Sequence, residues 1–130
     1  MTATAADTPY NLDRLIERYV AQWHESDGTA RRRRIEELWS PDAANFTPSL
    51  EVRGHDALEA RVRASYEKWV RDAGCVFRPR HANLHHGAVR FAWDMASGRD
   101  GKVISIGVEF LLLADDGRIC QDFQFIEPTA

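Results

Sequence analysis

The chain is poor in cysteine, with only Cys75 and Cys120 in 130 residues. One pair falls far short of the disulfide framework of a small secreted domain, so both thiols are expected to be reduced. No CxxC spacing offers a zinc site, and no metal is expected. Apolar runs are short as well. None approaches the roughly 18 residues of a membrane-spanning helix. The Thr/Ala-rich start, Met1–Tyr10, has neither the basic nor the apolar region of a secretory signal. A cytoplasmic protein without a membrane partner is the expectation. Missing too are GxGxxG, the P-loop and GxSxG, which removes the usual support for nucleotide-binding and serine-hydrolase readings. Charge of one sign is scarce: 17 Lys+Arg against 20 Asp+Glu leave a net −3, which speaks against a nucleic-acid-binding module.

What is present is apolar and aromatic. Hydrophobic residues make up 44% and aromatics 10%, including four Trp, which excludes disorder throughout. The length is that of one domain, able to bury roughly two-thirds of its unfolded surface. A mobile arm over residues 1–10 followed by a single domain over 11–130 is expected.

Leu12, Leu15, Ile16, Tyr19, Val20 and Trp23 recur at helical spacing, with a start at Thr8-Pro9 or Asn11 and a stop at Ser26-Asp27-Gly28. A second helix is predicted over Thr29–Trp39, ended by Ser40-Pro41-Asp42. Its run Arg31–Arg34 reads as a solvated face, with Glu36 and Glu37 answering Arg32 and Arg33 at i,i+4. Short strands follow at Ala43–Thr47 and Glu51–Arg53. A third helix runs from Gly54-His55-Asp56 to about Asp72, with Gly74 beyond its end and Trp69 assigned to helix packing.

Beyond it the chain reads as four strands, Val76–His85, Ala88–Ala96, Lys102–Leu113 and Arg118–Ile126. Helices first and an antiparallel meander afterwards is an α+β arrangement, with the helices on one face of the sheet. Both faces of Val103–Leu113 are apolar, yet the helices can cover only one. The face carrying Ile104, Ile106, Val108 and Phe110 is therefore expected to meet a second copy of the chain in a homodimer.

The element order and several local stretches resemble the nuclear transport factor 2-like superfamily in its SnoaL-like branch. The stretches are Tyr19–Trp23, Ile35–Ala43, Val52–Leu58, His85–Trp93 and Leu113–Ile119, and the likeness spans about residues 11–126. The resemblance implies a cystatin-like cone: a curved antiparallel or mixed sheet wrapped around three helices, with a pocket at its open end. It implies no cofactor. This superfamily hosts isomerases, cyclases, hydrolases, dehydratases and non-enzymes.

Members similar to steroid Δ-isomerase hold an oxyanion with a Tyr and a protonated carboxylic acid while a carboxylate moves the proton. On that pattern Tyr19 stands where the oxyanion Tyr is expected and Glu109 where the protonated acid is expected. The base position, before Pro48, is Thr47. Polyketide-cyclase members carry an acid/base Asp after an aromatic on the last strand; here Phe123 is followed by Gln124. The Asp–Arg–Asp set of epoxide-hydrolase members finds no counterpart in this reading.

If Glu109 points inward, strand alternation puts Cys120, Asp122, Gln124 and Ile126 on the same inner face, and Glu109 and Asp122 become near cross-strand neighbours. A one-residue slip of the last strand would turn Phe123 inward instead. Two carboxyls in an apolar cavity cannot both ionise cheaply, so the pair is a candidate acid and base. Trp23, Trp39, Phe46, Phe91 and Trp93 are expected to line the cone. One of His81 and His85, four apart on one strand, is expected at its mouth. Arg90 is a candidate to bind a substrate carboxylate.

Two functions follow. The first is a cofactor-independent acid/base enzyme of isomerase or cyclase type, acting on a small hydrophobic carbonyl or polyketide-like ligand. Glu109, Asp122 and Tyr19 would be catalytic. The second is a non-catalytic small-molecule-binding or structural dimer, its usual Asp positions occupied by Thr47 and Gln124.

Overall fold

The structure, a computed structural model, describes residues 9–127, so nearly all of the arm expected over residues 1–10 lies outside the described residues. The first helix, α1 (Pro9–His24), turns Ile16, Tyr19 and Trp23 into the core at the i, i+3, i+7 spacing of one helix face. The second, α2 (Gly28–Leu38), starts at an Asp27 cap whose carboxylate accepts from the Ala30 N–H at 2.8 Å.

The arginine run of α2 is less solvated than its sequence suggests. Arg31 is buried, and its Nη2 donates to the backbone carbonyls of Glu25 at 2.8 Å and Ser26 at 3.3 Å. It thereby satisfies carbonyls left open where α1 ends. Arg32 meets Glu36 at 3.0 Å, as its spacing predicts, and also Asp56 at 2.6 Å; Arg34 meets Glu25 at 2.9 Å. Arg33 and Glu37 form no ion pair among the described residues.

Trp39, expected to close α2, instead opens a strand, β1 (Trp39–Phe46). Pro41 has no N–H and forces the residue before it into extended backbone, so the helix ends one residue earlier than its apolar pattern implies. Then come β2 (Glu51–Arg53) and α3 (Gly54–Ser65), which continues as a wider π-helical segment, Tyr66–Asp72. Four strands complete the chain: β3 (Cys75–His85), β4 (Ala88–Ser97), β5 (Val103–Leu113) and β6 (Ile119–Glu127). His86 and Gly87, both at positive φ, make the two-residue turn between β3 and β4.

The six strands form one open, curved, mixed sheet in the order β2-β1-β6-β5-β4-β3. All neighbours are antiparallel except β1 and β6, which run parallel and bring the first hairpin against the last strand. Register shifts at Pro79/Ala82, Met95/Ala96 and Leu112/Leu113 mark where β3, β4, β5 and β6 bend. The helices pack on the inner face, with a core that includes Ile35, Leu38, Leu58, Val62, Val89, Phe91 and Leu111. Cys75 is buried and unpaired, and the Cys120 Sγ donates to the Leu112 carbonyl at 3.2 Å. No described helix is long and apolar enough to cross a membrane.

The outer face of the sheet is aromatic. Phe46 and Phe123 stack there with ring centres 4.8 Å apart, and Phe110 and Phe125 are 43% and 54% exposed. Two residues of the expected apolar row behave differently. Val108 is already buried, and Ile104, at the bulge opposite Met95 and Ala96, lines the inner cavity instead.

Gly107 of β5 lies opposite Trp93 of β4, and the indole lies across its backbone. A Cβ added to Gly107 would come within 2.1 Å of the ring. Backbone and neighbouring strands prevent either from yielding cheaply. Gly107→Ala is expected to cost about 1–3 kcal/mol of stability as an overpacking change. Urea unfolding of the variant checks it; an unchanged midpoint would show that the indole moves freely.

Candidate active site

The parity of β5 and β6 decides which side chains meet. Glu109 pairs with Gln124 and Leu111 with Asp122, so Glu109 and Asp122 stand diagonally on the inner face, and Phe123 faces outward. Asp122 is 0% exposed and Glu109 1%. The parallel register sets Asn45 of β1 directly beside Asp122, also on the inner face. Cys120, expected on this face, sits in the register shift beside Leu112 and is spent on a backbone carbonyl.

Tyr19 descends from α1 onto this pair. Its ring packs edge-on to Phe91, centres 5.4 Å apart, and tilted against Trp23 and Trp39. Its hydroxyl lies 2.6 Å from Asp122 Oδ2 and 3.0 Å from Glu109 Oε1. Trp93 Nε1–H donates to Glu109 Oε2 at 2.8 Å, and Asn45 Nδ2–H to Asp122 Oδ2 at 3.1 Å.

Donor counting shows what this cluster requires. Tyr19 has one proton and two short carboxyl contacts, so it donates to only one of them. The other is a hydrogen bond only if a carboxyl carries a proton. Asp122 Oδ1 is buried without any donor. One proton shared by the pair makes both tyrosine contacts hydrogen bonds, while Asp122 Oδ1 stays without a donor. Burial acts in the same direction. It pushes Glu109 well above the ordinary carboxylate range, with the neighbouring Asp122 charge adding to the effect and the Trp93 and Tyr19 hydrogen bonds opposing it. Burial also raises Asp122, against the hydrogen bonds it accepts. The Tyr19 phenol is raised by burial first and then by both carboxyls.

Over this cluster opens a mostly apolar cavity of about 420 Å³. Tyr19 and Glu109 reach it, whereas Asp122 lies behind them. Trp23, Phe91, Trp93 and Gln124 of the sequence-derived set line it. The rest of that set is elsewhere. Trp39 is core, its Nε1–H donating to Gln22 Oε1 at 2.9 Å. Phe46 is on the outer face, because Asn45 takes the inward position of β1. Thr47 Oγ1 accepts the N–H groups of Ser49 and Leu50 and serves the β1–β2 turn. His81 and His85 are exposed, since Ala82 and Leu84 take the inward positions at that end of β3. Arg90 is exposed beside Phe110, on the outer side.

Sequence reasoning missed Asn45, Arg61, Trp69 and Phe77. Arg61, Ser65 and Trp69 are spaced four apart, and all three line the cavity. Trp69 was expected among helix contacts; the π-helical segment beyond Ser65 widens the turn and places it at the cavity instead. The signal for Arg61 was its position between Leu58 and Val62 on the buried face of α3.

The shared proton has a thermodynamic consequence. With the folded-state value of Glu109 raised, the native protein holds more protons than the unfolded chain once pH exceeds the ordinary carboxylate range. Stability then falls as pH rises toward the folded-state value, by up to about 1.4 kcal/mol per pH unit for one proton. Glu109→Gln is expected to flatten that fall. Unfolding free energies of both proteins from about pH 5 to about pH 8 test it; parallel profiles would exclude the shared proton.

No protein-family model matches the chain, and no curated protein matches its sequence. Solved structures do. A SnoaL-like family protein from Agrobacterium tumefaciens, provisionally assigned as an isomerase, superposes with a TM-score of 0.80 at 24% identity, over 88% of this chain and 96% of that one. A provisionally assigned polyketide cyclase from Sinorhizobium meliloti gives 0.66 at 16% identity, over 95% and 100%. A protein of unknown function from Mesorhizobium loti, described as nuclear transport factor 2-like, gives 0.65 at 15%, over 89% and 90%. At these identities the likeness is one of fold. The chain has the SnoaL-like form of the nuclear transport factor 2-like fold.

Proposed function

We propose that the chain is a cofactor-independent acid/base enzyme of isomerase or cyclase type, acting on a small hydrophobic carbonyl or polyketide-like compound in the cavity. One observation carries this reading: two buried carboxyls share a tyrosine hydroxyl, and one of them, Glu109, raised by burial, faces an apolar cavity. Glu109 presents a proton or a lone pair to the cavity, depending on which carboxyl holds the shared proton. It takes a proton from the carbon beside a bound carbonyl and returns it elsewhere on the same enol or enolate, which leaves the protein unchanged. Tyr19 Oη holds the carbonyl oxygen in the developing enolate, and Asp122, out of the ligand's reach, tunes both groups from behind. The usual base position needs no second carboxylate under this scheme, which is consistent with Thr47 serving a turn.

The test is exchange of the α-protons of 2-tetralone, a compact cyclic ketone, for deuterium in D₂O, followed by NMR. The native protein is expected to accelerate exchange, and Glu109→Gln to lose about 100-fold or more of it. Binding without accelerated exchange would favour the non-catalytic alternative.

We further propose that the chain forms a homodimer through the outer sheet face. Phe110 and Phe125, exposed beside the stacked Phe46 and Phe123, make a contiguous aromatic patch unusual on a free surface. Sedimentation velocity is expected to give a dimer for the native chain and a monomer for the doubly substituted Phe110→Glu, Phe125→Glu protein. A native monomer at micromolar concentration would refute the assignment.

A further inference from the structure

Arg61 is the charged cavity group that touches neither acid directly, although its charge helps to hold Asp122 down across Asn45. Its Nε donates to Asn45 Oδ1 at 2.7 Å and its Nη2 to Gln124 Oε1 at 3.4 Å, and its guanidinium lies 5.3 Å from the centre of the Trp23 ring. All three partners are neutral. Among the described residues Arg61 forms no ion pair, and its Nη1 makes no hydrogen bond. Arg31, the other inward-turned arginine of the helices, is provided for differently: it has the Glu59 carboxylate and backbone carbonyls. The carboxylate nearest to Arg61 through the hydrogen-bond network is Asp122, which lies one side chain further on, behind Asn45 and away from the cavity.

A half-buried cation among aromatic walls, with only neutral groups in contact and its nearest carboxylate one side chain away, has room for an ion-pair partner of its own. A guanidinium with a free edge matches the two oxygens of a carboxylate. Ser65, one turn along α3 and also in the cavity wall, stands beside it as a further donor. Gln124, the acceptor of Arg61, is also the register partner of Glu109. Arg61 and Glu109 thus meet the same residue, one through its side chain and the other across the strand pair.

We propose that the cavity takes an anionic ligand, a flat hydrophobic carbonyl compound bearing a carboxylate, with the carboxylate paired to Arg61 and the apolar body among Trp23, Trp69 and Trp93. The carbonyl half of this description rests on the acid/base reading of Glu109; the carboxylate half rests on Arg61 alone. The two are compatible electrostatically, because the Arg61 guanidinium offsets the charge of the bound carboxylate and leaves Glu109 able to take up the ligand proton.

Calorimetric titration with 2-naphthoate and its neutral isostere 2-naphthamide tests the carboxylate half. The native protein is expected to bind the naphthoate about tenfold or more tightly, the scale of one charge-assisted pair. Arg61→Gln is expected to bring the naphthoate down to the naphthamide affinity, and Arg61→Lys to restore part of the preference. The naphthamide affinity reports in each variant whether the apolar walls are intact. Equal affinities in the native protein, binding of neither probe, or a preference that survives Arg61→Gln with the walls intact each overturn the proposal. The native comparison decides even if a variant fails to fold. Because neither probe need react, the outcome is separate from the exchange test. A naphthoate preference without 2-tetralone exchange upholds the anion site and removes the acid/base reading. Exchange without the preference does the reverse.

Discussion

The site depends on one tyrosine hydroxyl held between two almost fully buried carboxyl groups. Tyr19 Oη stands 2.6 Å from Asp122 and 3.0 Å from Glu109, and Trp93 and Asn45 supply one further donor to each acid. Burying two such acids is costly unless a proton stays with them and their oxygens are hydrogen-bonded. Both conditions constrain the rest of the fold. The parallel pairing of β1 with β6 places Asn45 beside Asp122, and Gly107 leaves room for the indole that donates to Glu109. The edge-on contact of Phe91 fixes the tilt of the tyrosine ring. A polar cluster with this many directed contacts in a small core constrains its neighbours alongside apolar packing.

Around this cluster the sheet keeps its two faces apart by residue parity. Asn45, Glu109, Asp122 and Gln124 face the helices, while Phe46, Phe110, Phe123 and Phe125 face outward. A slip of one residue on β6 would exchange Asp122 for Phe123 and destroy both surfaces, so the acid cluster and the aromatic patch pin the same register. The bulges bend the sheet without disturbing that alternation at the site, and they release Ile104 and Cys120 from the positions a regular strand would give them.

The helical side of the cavity carries the second electrostatic element. Arg61 is braced by two amide oxygens and the Trp23 ring, and the π-helical segment beyond Ser65 brings Trp69 into the same wall. The cavity therefore has a guanidinium on one side and a buried carboxyl on the other, both in contact with Gln124 or paired to it across the strands.

Local sequence was sufficient for the elements and for the acid pair. The spacing of Ile16, Tyr19 and Trp23 determined the buried face of α1, and the alternation of β5 and β6 made Glu109 and Asp122 neighbours once both faced inward. These are consequences of helix and strand geometry, which act over a few residues. Trp39, Phe46, Thr47, His81 and His85 escaped such reasoning because their fates rest on a proline-forced strand, a turn, or which edge of a bent sheet the helices cover. Arg61 escaped it for a related reason: a charged residue inside an apolar helical stripe reads as a flaw until its partners on β1 and β6 are known. The sequence by itself determined the order of helices and strands and the residue types available for proton transfer. Only the tertiary structure decided that Tyr19, Glu109 and Asp122 meet in a buried cluster and that Arg61 faces the cavity with no carboxylate in contact, because both depend on a parallel strand pair and a sheet curvature that join residues far apart in the chain.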